Sequence, residues 1–305
     1  MRLGIALPQR GKDVSAEDIA RVAREAEAMG LDSVWVMDRL LRPLRPVRLL
    51  PDAPAEPLPE YYATVFDPIE TLTYVAALTE RVLLGTSAVN ALFHPPVVLA
   101  RRLATLDRLS GGRVIAGLVQ GWLEEEFTAA GVPRSRRGEG LAEHVAAMRA
   151  VWGEDPVHFE GRFYRIPESQ IGPKPLQPGG IPILIGCSSP SGGPGGERAG
   201  RIADGLHPYH WTREPLAAEI AAFRAAARAA GRDADALPIV ARADGRLSGT
   251  PLAERDRPLF TGTLEQWEDD LAYVRELGVG HVFFDIEAPV EEQLRTMRTL
   301  RDRVA

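Results

Sequence analysis

Residues Val82–Val119 read VLLGTSAVNALFHPPVVLARRLATLDRLSGGRVIAGLV. The first run, Val82–Val89, and the last, Arg113–Val119, are short and almost continuously apolar, whereas Pro96–Ser110 between them repeats its apolar residues at helical spacing. An apolar run that does not alternate with polar residues predicts a strand covered on both faces, as in a parallel sheet. This stretch therefore predicts a strand, a crossover helix and a second, parallel strand.

The same alternation of strand and helix extends along the chain. Apolar runs predict six further strands, at Leu3–Leu7, Ser33–Met37, Ile181–Ile185, Asp204–His207, Leu237–Val240 and His281–Ile286. Helical patterns lie between them, with Ser15 as N-cap of the first helix and Thr263 with Gln266 as the capping box of a late one. Eight strands alternating with about eight helices in 305 residues predict a (β/α)8 TIM barrel, formed by one domain over residues 1–305.

Two segments interrupt this alternation. Leu40–Phe66 is rich in Pro, Leu and Arg and follows the second strand. An insertion after a strand lies on the C-terminal face of a barrel, where active sites are found, so this segment is either a lid or a plain surface excursion. Val157–Gly180 precedes the fifth strand and is predicted to form a hairpin and a Pro-rich connection with a structural role.

Composition and charge limit the classes of partner. The formal net charge of −6 gives no reason to expect binding to nucleic acid or to an anionic membrane surface. No apolar run reaches transmembrane length, and the N-terminus enters a strand without the regions of a signal peptide. The single cysteine, Cys187, fits a reducing compartment. The expectation is a cytoplasmic protein that acts on a small molecule.

An anion-binding loop is predicted after the fifth strand. Ile181–Ile185 runs into a stretch of Ser, Gly and Pro, and a helix begins near Pro194–Glu197. Exposed backbone N–H groups, the hydroxyls of Ser188 and Ser189 and the positive end of the helix dipole together suit a phosphate. The alternative is a flexible loop without a ligand, because the spacing fits neither a Walker motif nor a dinucleotide fingerprint.

Polar residues also follow other predicted strands, at the end where barrel active sites lie. They are Asp38 and Arg39 after the second strand, Thr86, Ser87 and Asn90 after the third, Gln120, Gly121 and Trp122 after the fourth, and His207 and Tyr209 after the sixth. Several of these residues also have a structural explanation. Arg39 could pair with Asp38 or cover the rim of the barrel, the small polar residues could hydrogen-bond to the backbone amides of their own strand end, and Trp122 could belong to the core.

Other chemistry-bearing residues are interpreted as structural. His207 has too few neighbouring ligands for a metal, so we expect a polar pocket wall and no metal site. Glu124–Glu126 is interpreted as a solvated helix start that the helix dipole favours. No histidine lies near Cys187 in the sequence, which favours a structural thiol over a nucleophile.

Several stretches together resemble the luciferase-like flavin-dependent monooxygenases and oxidoreductases. They are GLDSVWVMDRL (Gly30–Leu40), LLGTSAVNALFHPPVVLARRLATLDRLSGGRVIAGLVQGW (Leu83–Trp122), GPKPLQPGGIPILIGCSSP (Gly172–Pro190), RAGRIADGLHPY (Arg198–Tyr209) and TGTLEQWEDDLAYVRELGVGHVFFD (Thr261–Asp285). The stretch Leu83–Trp122 is the most specific, and the resemblance covers nearly the whole chain in order.

The resemblance implies a (β/α)8 barrel that binds a flavin or a deazaflavin at its C-terminal mouth. In such a barrel the ring leans on a bulge at the end of the third strand, here Thr86–Ala88, which often holds a non-proline cis peptide. The polar edge of the ring lies near Asp38 and Gln120–Gly121, and Ser188 and Ser189 hold the phosphate. The full set of expected cofactor contacts is Leu7, Asp38, Thr86, Ser87, Ala88, Gln120, Gly121, Gly186, Ser188 and Ser189.

Within the family, the pattern resembles the branch that uses the deazaflavin coenzyme F-420. That branch commonly has His after the strand-two Asp, whereas this chain has Arg39. Because a guanidinium stays charged at every working pH, Arg39 suits an anionic or carbonyl group better than proton exchange. The catalytic candidates are Asp38 and Arg39, and the expected substrate contacts are Arg39, Trp122, His207 and Tyr209.

The leading hypothesis is an oxidoreductase that transfers a hydride between coenzyme F-420 and a small organic substrate. The second is a monooxygenase that uses O2 and FMN reduced by a partner reductase. A third, from another class, is a cofactor-free barrel lyase or isomerase acting on a phosphorylated substrate, and a fourth is a non-catalytic flavin-binding barrel. Lys12 and Lys174 lie outside the strand ends, which counts against the third. The family also leads us to expect a homodimer.

Overall fold

The computed structural model describes residues 1–48, 54–187, 194–209, 212–255 and 257–304. Its strands are β1 Arg2–Ala6, β2 Ser33–Val36, β3 Leu83–Thr86, β4 Val89–Asn90, β5 Val114–Val119, β6 Val157–Glu160, β7 Arg165–Ser169, β8 Ile183–Cys187, β9 Gly205–Pro208, β10 Val240–Leu247, β11 Thr261–Gly262 and β12 His281–Ile286. Its helices are α1 Ala16–Ala28, α2 Pro68–Ala76, α3 Pro96–Leu109, α4 Glu124–Ala129, α5 Glu139–Trp152, α6 Pro194–Ile202, α7 Arg213–Ala229, α8 Leu264–Glu276 and α9 Val290–Val304. Within these residues, none of the helices has both the length and the apolar character needed to cross a bilayer.

The main sheet is parallel and curls on itself. Its strands follow the order β11–β10–β12–β1–β2–β3–β5–β8–β9, with β4 beside β5. The end of this path at β9 approaches β10, near its other end. Leu206 of β9 forms a parallel bridge with Ile239, the residue before β10. The N–H of Leu206 donates to Pro238 O over 3.0 Å. Helices separate most successive strands, so the predicted α/β architecture with a curled parallel sheet is confirmed.

Local signals in the sequence set the helix ends. The Ser15 side chain accepts a hydrogen bond from the N–H of Asp18 and caps α1, and the chain leaves that helix through Gly30 at φ +78°. Thr263 and Gln266 form a capping box at the start of α8. Both predicted N-caps are therefore confirmed.

Aromatic rings fill the inside of the curled sheet. Trp35 of β2 is fully buried and stacks on Phe283 of β12 and on His207 of β9, with ring centroids 4.5 Å and 5.8 Å apart. The indole N–H donates to Ser33 Oγ over 2.7 Å, and that hydroxyl pairs with His281 Nε2 at 2.7 Å. The interior below the strand carboxyl ends is therefore a packed core, not a channel.

Three predicted strands have the wrong bounds, the fifth being Ile183–Cys187 and not Ile181–Ile185. The third ends earlier, because β3 stops at Thr86 and pairing resumes only in β4. The seventh lies further along the chain: β10 is Val240–Leu247, not Leu237–Val240. Its sequence, VARADGRL, contains two arginines and an aspartate, which the apolar pattern excluded, yet residues 240–245 pair in register with β12.

The segment before β8 lies at the amino ends of the strands. It begins with the predicted hairpin, formed by β6 and β7. Its Pro-rich continuation is tied to α3 by the fully buried Asp107, whose carboxylate accepts from the N–H groups of Leu176 and Gln177. The side chain of Gln177 donates to Val114 O, at the start of β5. This segment is therefore remote from the carboxyl ends of the strands.

A buried arginine ties two helix ends to the sheet. Arg113 precedes β5 and is 9% exposed. Its guanidinium donates to five acceptors, namely Ala76 O, Thr79 O, Thr79 Oγ1, Val82 O and Ser110 O, at 2.6–3.1 Å. These carbonyls belong to the ends of α2 and α3 and to the entry of β3, where unpaired backbone oxygens favour a cation. Burial lowers the pKa of Arg113, but a guanidinium stays charged at neutral pH.

We expect the substitution Arg113→Met to lower the free energy of unfolding by about 2–4 kcal/mol, because buried carbonyl groups lose their donors. Arg24→Met is the matched control: Arg24 is exposed on α1, so its change should stay within about 0.5 kcal/mol. Urea denaturation measures both. Equal effects of the two substitutions would contradict a structural role for Arg113.

Candidate active site at the strand carboxyl ends

A cleft opens where β1, β2, β3, β10 and β12 end. Leu7, Met37 and Ser87 line it, together with the buried rings of Trp35 and Phe283 that lie earlier in their strands. The carboxyl ends of parallel strands share one edge of the sheet, so these side chains come from distant parts of the sequence. The predicted cofactor contact Leu7 thus lies beside the end of β3.

The end of β3 forms a bulge around a cis peptide. The bond between Ser87 and Ala88 is cis, which agrees with the non-proline cis peptide implied for Thr86–Ala88. Thr86 Oγ1 donates to Gly117 O over 2.8 Å, and Ser87 N–H donates to Val36 O over 2.6 Å. These bonds fix the bulge to the neighbouring strands β5 and β2.

His207 supports the bulge from inside the sheet. Its Nδ1 lies 2.7 Å from Val240 O and its Nε2 lies 2.9 Å from Ser87 Oγ. A carbonyl can only accept, so Nδ1 carries the proton and the Ser87 hydroxyl donates to Nε2. Burial lowers the pKa of His207 to about 4, and the ring is 3% exposed. His207 was predicted to form a wall of the pocket. In the structure Ser87 lines the cleft, and His207 contacts Ser87 from behind.

Beside the bulge, neighbouring strands pack closely through two glycines. A Cβ on Gly117 would come within 1.9 Å of Thr86 O, and one on Gly186 within 2.5 Å of Val119 Cγ1. Both Cβ positions lie 3.7 Å from the Cβ of Ala88. The ends of β3, β5 and β8 therefore approach each other so closely that only glycine fits at these two positions.

Asp38 connects the end of β2 to β4. Its Oδ2 accepts from Asn90 N–H over 3.0 Å. Burial raises the pKa of Asp38, an effect that this hydrogen bond opposes. Gly121, at φ +71°, packs against the same asparagine, since a Cβ there would lie 2.1 Å from Asn90 Nδ2. Three predicted strand-end residues, Asp38, Asn90 and Gly121, are thus brought together, with Asp38 at the backbone N–H of Asn90 and Gly121 at its side chain.

Arg39 forms an ion pair with Glu126 of α4. The distance from Nη1 to Oε2 is 3.1 Å, and the two side chains are 10% and 5% exposed. The guanidinium also lies over the rings of Tyr62 and Trp122, 5.0 Å and 5.5 Å from their centroids. Burial raises the pKa of Glu126, whereas the charge of Arg39 lowers it. The predicted substrate contacts Arg39 and Trp122 therefore lie together on one side of the mouth.

The start of α4 differs from the prediction of a solvated helix end. Glu124 is exposed, but Glu125 forms an ion pair with Arg45, and Glu126 is 4% exposed. Glu126 also accepts from Leu40 N–H over 2.9 Å. The interpretation was wrong for Glu126, because a buried guanidinium needs a charged partner and this carboxylate supplies it.

The segment after β2 covers part of the mouth. Tyr61 lies over the guanidinium of Arg10 at 4.7 Å, as Tyr62 does over Arg39. Leu58 of this segment packs with Val47 and with Leu123, just before α4. The part of Leu40–Phe66 that the structure describes is therefore anchored to the active-site face.

Among the described residues, two buried polar atoms near these strand ends have no hydrogen-bond partner. They are Arg39 Nε, a donor, and Asn90 Oδ1, an acceptor. The neighbouring predicted contact Gln120 is engaged, because its Oε1 accepts from Gly138 N–H over 2.7 Å. A buried polar atom without a partner is costly, so this donor and acceptor mark a place for a ligand with a polar edge.

On the opposite side of the cleft lies a charge network that the sequence did not reveal. Asp285 of β12 accepts from both terminal nitrogens of Arg10, at 2.7 Å and 2.8 Å, and from Arg242 Nη2 at 2.8 Å. Asp244 accepts from Arg242 Nε at 2.9 Å and from the hydroxyl of Tyr209. Burial alone would raise the pKa of Asp285, but the charges of Arg242 and Arg10 outweigh it and hold the pKa below its usual range.

The predicted anion loop follows β8. Ser188 and Ser189 lie outside the described residues. At the start of α6, Gly196 N–H donates to the buried carboxylate of Glu219, so one helix N-terminal donor is already engaged. Arg198 of α6 is half-buried and, in the described ranges, has no carboxylate partner.

Cys187, the last residue of β8, is a poor nucleophile. Burial, reinforced by the carboxylate of Glu219, raises the pKa of its thiol well above the usual value. The thiol therefore stays protonated at neutral pH. Across the described part of the chain, no three His, Cys, Asp or Glu side chains are grouped so that they could hold a metal ion.

Comparisons with known proteins relate this arrangement to one family. Residues 1–244 match the model of the luciferase-like monooxygenases. The F420-dependent glucose-6-phosphate dehydrogenase of Kineococcus radiotolerans is 38% identical over 192 residues, which are 61% of this chain and 50% of that protein. The FMNH2-dependent dimethylsulfone monooxygenase of Pseudomonas putida is 34% identical over 142 residues, 45% of this chain and 38% of that protein. The chain thus spans about half of the length of the curated relatives it matches.

A solved structure has the same fold over the whole chain. The crystal structure of the monooxygenase RslO1 from Streptomyces bottropensis superimposes with a TM-score of 0.80, covering 100% of this chain and 98% of that one at 24% identity. At this identity, the likeness concerns the fold.

We expect Gly121→Ala to lower the free energy of unfolding more than Gly131→Ala does. Both glycines have positive φ, +71° and +67°. A Cβ on Gly121 would clash with Asn90, whereas a Cβ on Gly131 would have no atom within 4 Å. The backbone conformation costs each variant about 1–2 kcal/mol, and the clash adds about 1–3 kcal/mol at Gly121. Urea denaturation measures the difference, and equal losses would show that Asn90 does not pack against this turn.

Acidification should destabilise the fold through its buried histidines. Burial lowers the pKa of His144 and of His207 to about 4, and that of His281 to about 3. An unfolded chain protonates histidine near pH 6.5, so below that pH it binds more protons than the folded chain, and stability falls until the folded pKa values are reached. Between pH 6.5 and 5 the loss is about 1–2 kcal/mol for each histidine.

The variant His207→Gln isolates one of these contributions. It should show a shallower decrease of unfolding free energy between pH 6.5 and 5 than the unchanged chain, as measured by urea denaturation at several pH values. Parallel pH profiles for the two proteins would contradict a buried, neutral His207.

Proposed function

Because the chain belongs to the luciferase-like monooxygenase family, we propose that it is an oxidoreductase that binds coenzyme F-420 at the strand carboxyl ends. When bound, this deazaflavin exchanges a hydride with a carbon of a small organic substrate. The observation that carries the proposal is the pair of unpartnered buried atoms Asn90 Oδ1 and Arg39 Nε, together with the close packing of the strand ends through Gly117 and Gly186 around Ala88. The fold proposed with it is the closed (β/α)8 barrel, which the bridge at Leu206 supports.

The residues at these strand ends suit a planar ring with a polar edge. Gly117 and Gly186 carry no side chains that would hold a ring away from the Ser87–Ala88 peptide. Along the edge, Asn90 Oδ1 can accept from a ring N–H and Arg39 Nε can donate to a ring oxygen. Each contact would remove the cost of a buried unpartnered atom, about 1–3 kcal/mol.

The anionic part of the cofactor is proposed to lie at the loop after β8. Ser188 and Ser189 provide hydroxyl donors there, and Arg198 provides a positive charge from α6. Burial and the neighbouring charge of Arg201 lower the pKa of Arg198, which indicates a guanidinium without a compensating anion. A phosphate would supply that anion and accept charge-assisted hydrogen bonds.

Asp38 and Arg39 have different parts in the proposed chemistry. Asp38 Oδ2 is engaged by Asn90 N–H, so Oδ1 is the atom at which a proton is held or released. The raised pKa of Asp38 makes it a better proton carrier near neutral pH than an exposed aspartate. Arg39, paired with Glu126, keeps its charge and positions the ring edge.

An FMN-dependent monooxygenase is the second candidate. The identity to the Pseudomonas dimethylsulfone enzyme favours it, and it would require a partner reductase. F-420 is preferred because the Kineococcus relative is more similar, at 38% against 34%, over a larger share of this chain. A cofactor-free lyase or isomerase draws less support, because Lys174 pairs with Asp155 and Lys12 is exposed before α1.

The proposal is tested by titrating F-420, FMN and riboflavin into the protein and following the fluorescence of the ring. We expect F-420 to bind more tightly than FMN, and riboflavin, which lacks the phosphate, to bind weakly. Arg198→Gln, or Ser188→Ala combined with Ser189→Ala, should weaken F-420 and FMN binding at least about tenfold and leave riboflavin unchanged, because each lost charge-assisted hydrogen bond is worth about 1.5–3 kcal/mol.

The matched control is Arg201→Gln on the same helix, whose side chain is 56% exposed and reaches Glu197. It should leave all three affinities unchanged. If none of the three compounds binds, the proposal of a ring cofactor is wrong. If FMN binds more tightly than F-420, the FMN-dependent monooxygenase replaces the F-420-dependent oxidoreductase as the proposed function. If Arg198→Gln has no effect, the phosphate lies elsewhere.

A further inference from the structure

In the charge network, two guanidinium donors, Arg10 Nε and Arg242 Nη1, have no hydrogen-bond partner among the described residues. Arg242 directs Nε to Asp244 and Nη2 to Asp285, and its Cζ lies 4.9 Å from the centroid of the Tyr209 ring. No hydrogen bond to Nη1 occurs within the described residues. The side chain is only 15% exposed, and it lines the cleft. Nη1 is therefore a nearly buried donor at the cleft wall.

Other polar groups of the cleft are already engaged. The side chain of Gln9 donates to Met37 O and Phe66 O and accepts from Met37 N–H. Ser87 Oγ donates to His207. The remaining lining includes the apolar groups of Ala6, Leu7 and Trp35. The cleft therefore offers a ligand the Arg242 Nη1 donor between polar and apolar side chains, and its enclosed space is about 10 Å³, enough for one oxygen-sized group.

Among the described residues, the charges that form ion pairs around this donor are balanced. Arg10 and Arg242 contribute two positive charges, and Asp244 and Asp285 contribute two negative charges through the ion pairs that join them. An anionic ligand would leave one negative charge in excess in a poorly solvated place, whereas an uncharged ligand would keep the balance. The network thus attracts a hydrogen-bond acceptor without attracting an anion.

Resting on the proposed function, we propose that Arg242 Nη1 binds an uncharged acceptor oxygen of the substrate, as in a ketone, an aldehyde, an amide or an alcohol. The balanced network then selects neutral substrates over carboxylates and phosphates of the same shape. Arg242 is a substrate-binding residue in this account, and Asp285, Asp244 and Arg10 position its guanidinium.

Acetamide and acetate test this directly, because they have nearly the same shape and differ in charge. Their equilibrium binding is measured by ligand-observed NMR, with the chain alone and again after saturation with F-420. We expect acetamide to bind at least about tenfold more tightly than acetate. Arg242→Lys, which keeps the charge and loses the planar fork, should weaken acetamide binding about tenfold.

Arg246→Lys is the control, since Arg246 lies on the same strand with a side chain that is 70% exposed. It should leave acetamide binding unchanged. Asp244→Asn makes the network positive by one charge and should shift the preference toward acetate at least about tenfold. Circular dichroism and thermal midpoints establish that each variant is folded.

Three results would overturn the inference: acetate binding as tightly as acetamide, equal effects of Arg242→Lys and Arg246→Lys, or an unchanged preference in Asp244→Asn. The proposed function is tested by a separate result: it fails if neither F-420 nor FMN binds. The binding of acetamide to the chain alone does not depend on that outcome.

Discussion

The hydrogen bond from Ser87 to His207 joins parts of the sheet that are 120 residues apart in sequence. His207 is 3% exposed and has both ring nitrogens satisfied, because a carbonyl of β10 fixes the proton on Nδ1 and Ser87 donates to Nε2. The bulge at the end of β3 is therefore fixed by His207, whose ring stacks on Trp35 in the core. The position of the cleft depends on that support.

The mouth then divides into two halves of different chemistry. Around Ala88 the strands pack closely through glycines, and a donor and an acceptor without partners among the described residues lie near them. Across the cleft, the described residues include two arginines and two aspartates that form ion pairs, and Arg242 Nη1 remains there as a donor for a ligand. A ring cofactor and a neutral substrate would thus be recognised by separate groups, which allows either side to vary without disturbing the other.

Much of this architecture could be predicted from the sequence, because strands and helices depend on local patterns. The apolar runs located most of the strands, and Ser15 and Thr263 located helix starts. The charge network could not be predicted, because Arg242 and Asp244 interrupt the apolar pattern of β10 and only the register with β12 brings them to Asp285. Likewise, no local signal distinguishes Glu126 from Glu124, since burial is imposed by Arg39 from another part of the chain.

The crystal structure of the protein with F-420 tests the central claim most directly. The account predicts ring density against the Ser87–Ala88 peptide, with the polar edge of the ring within hydrogen-bond distance of Asn90 Oδ1 and Arg39 Nε. Density for the ring at any other surface of the molecule, with the cleft between β3 and β12 left to solvent, would contradict it.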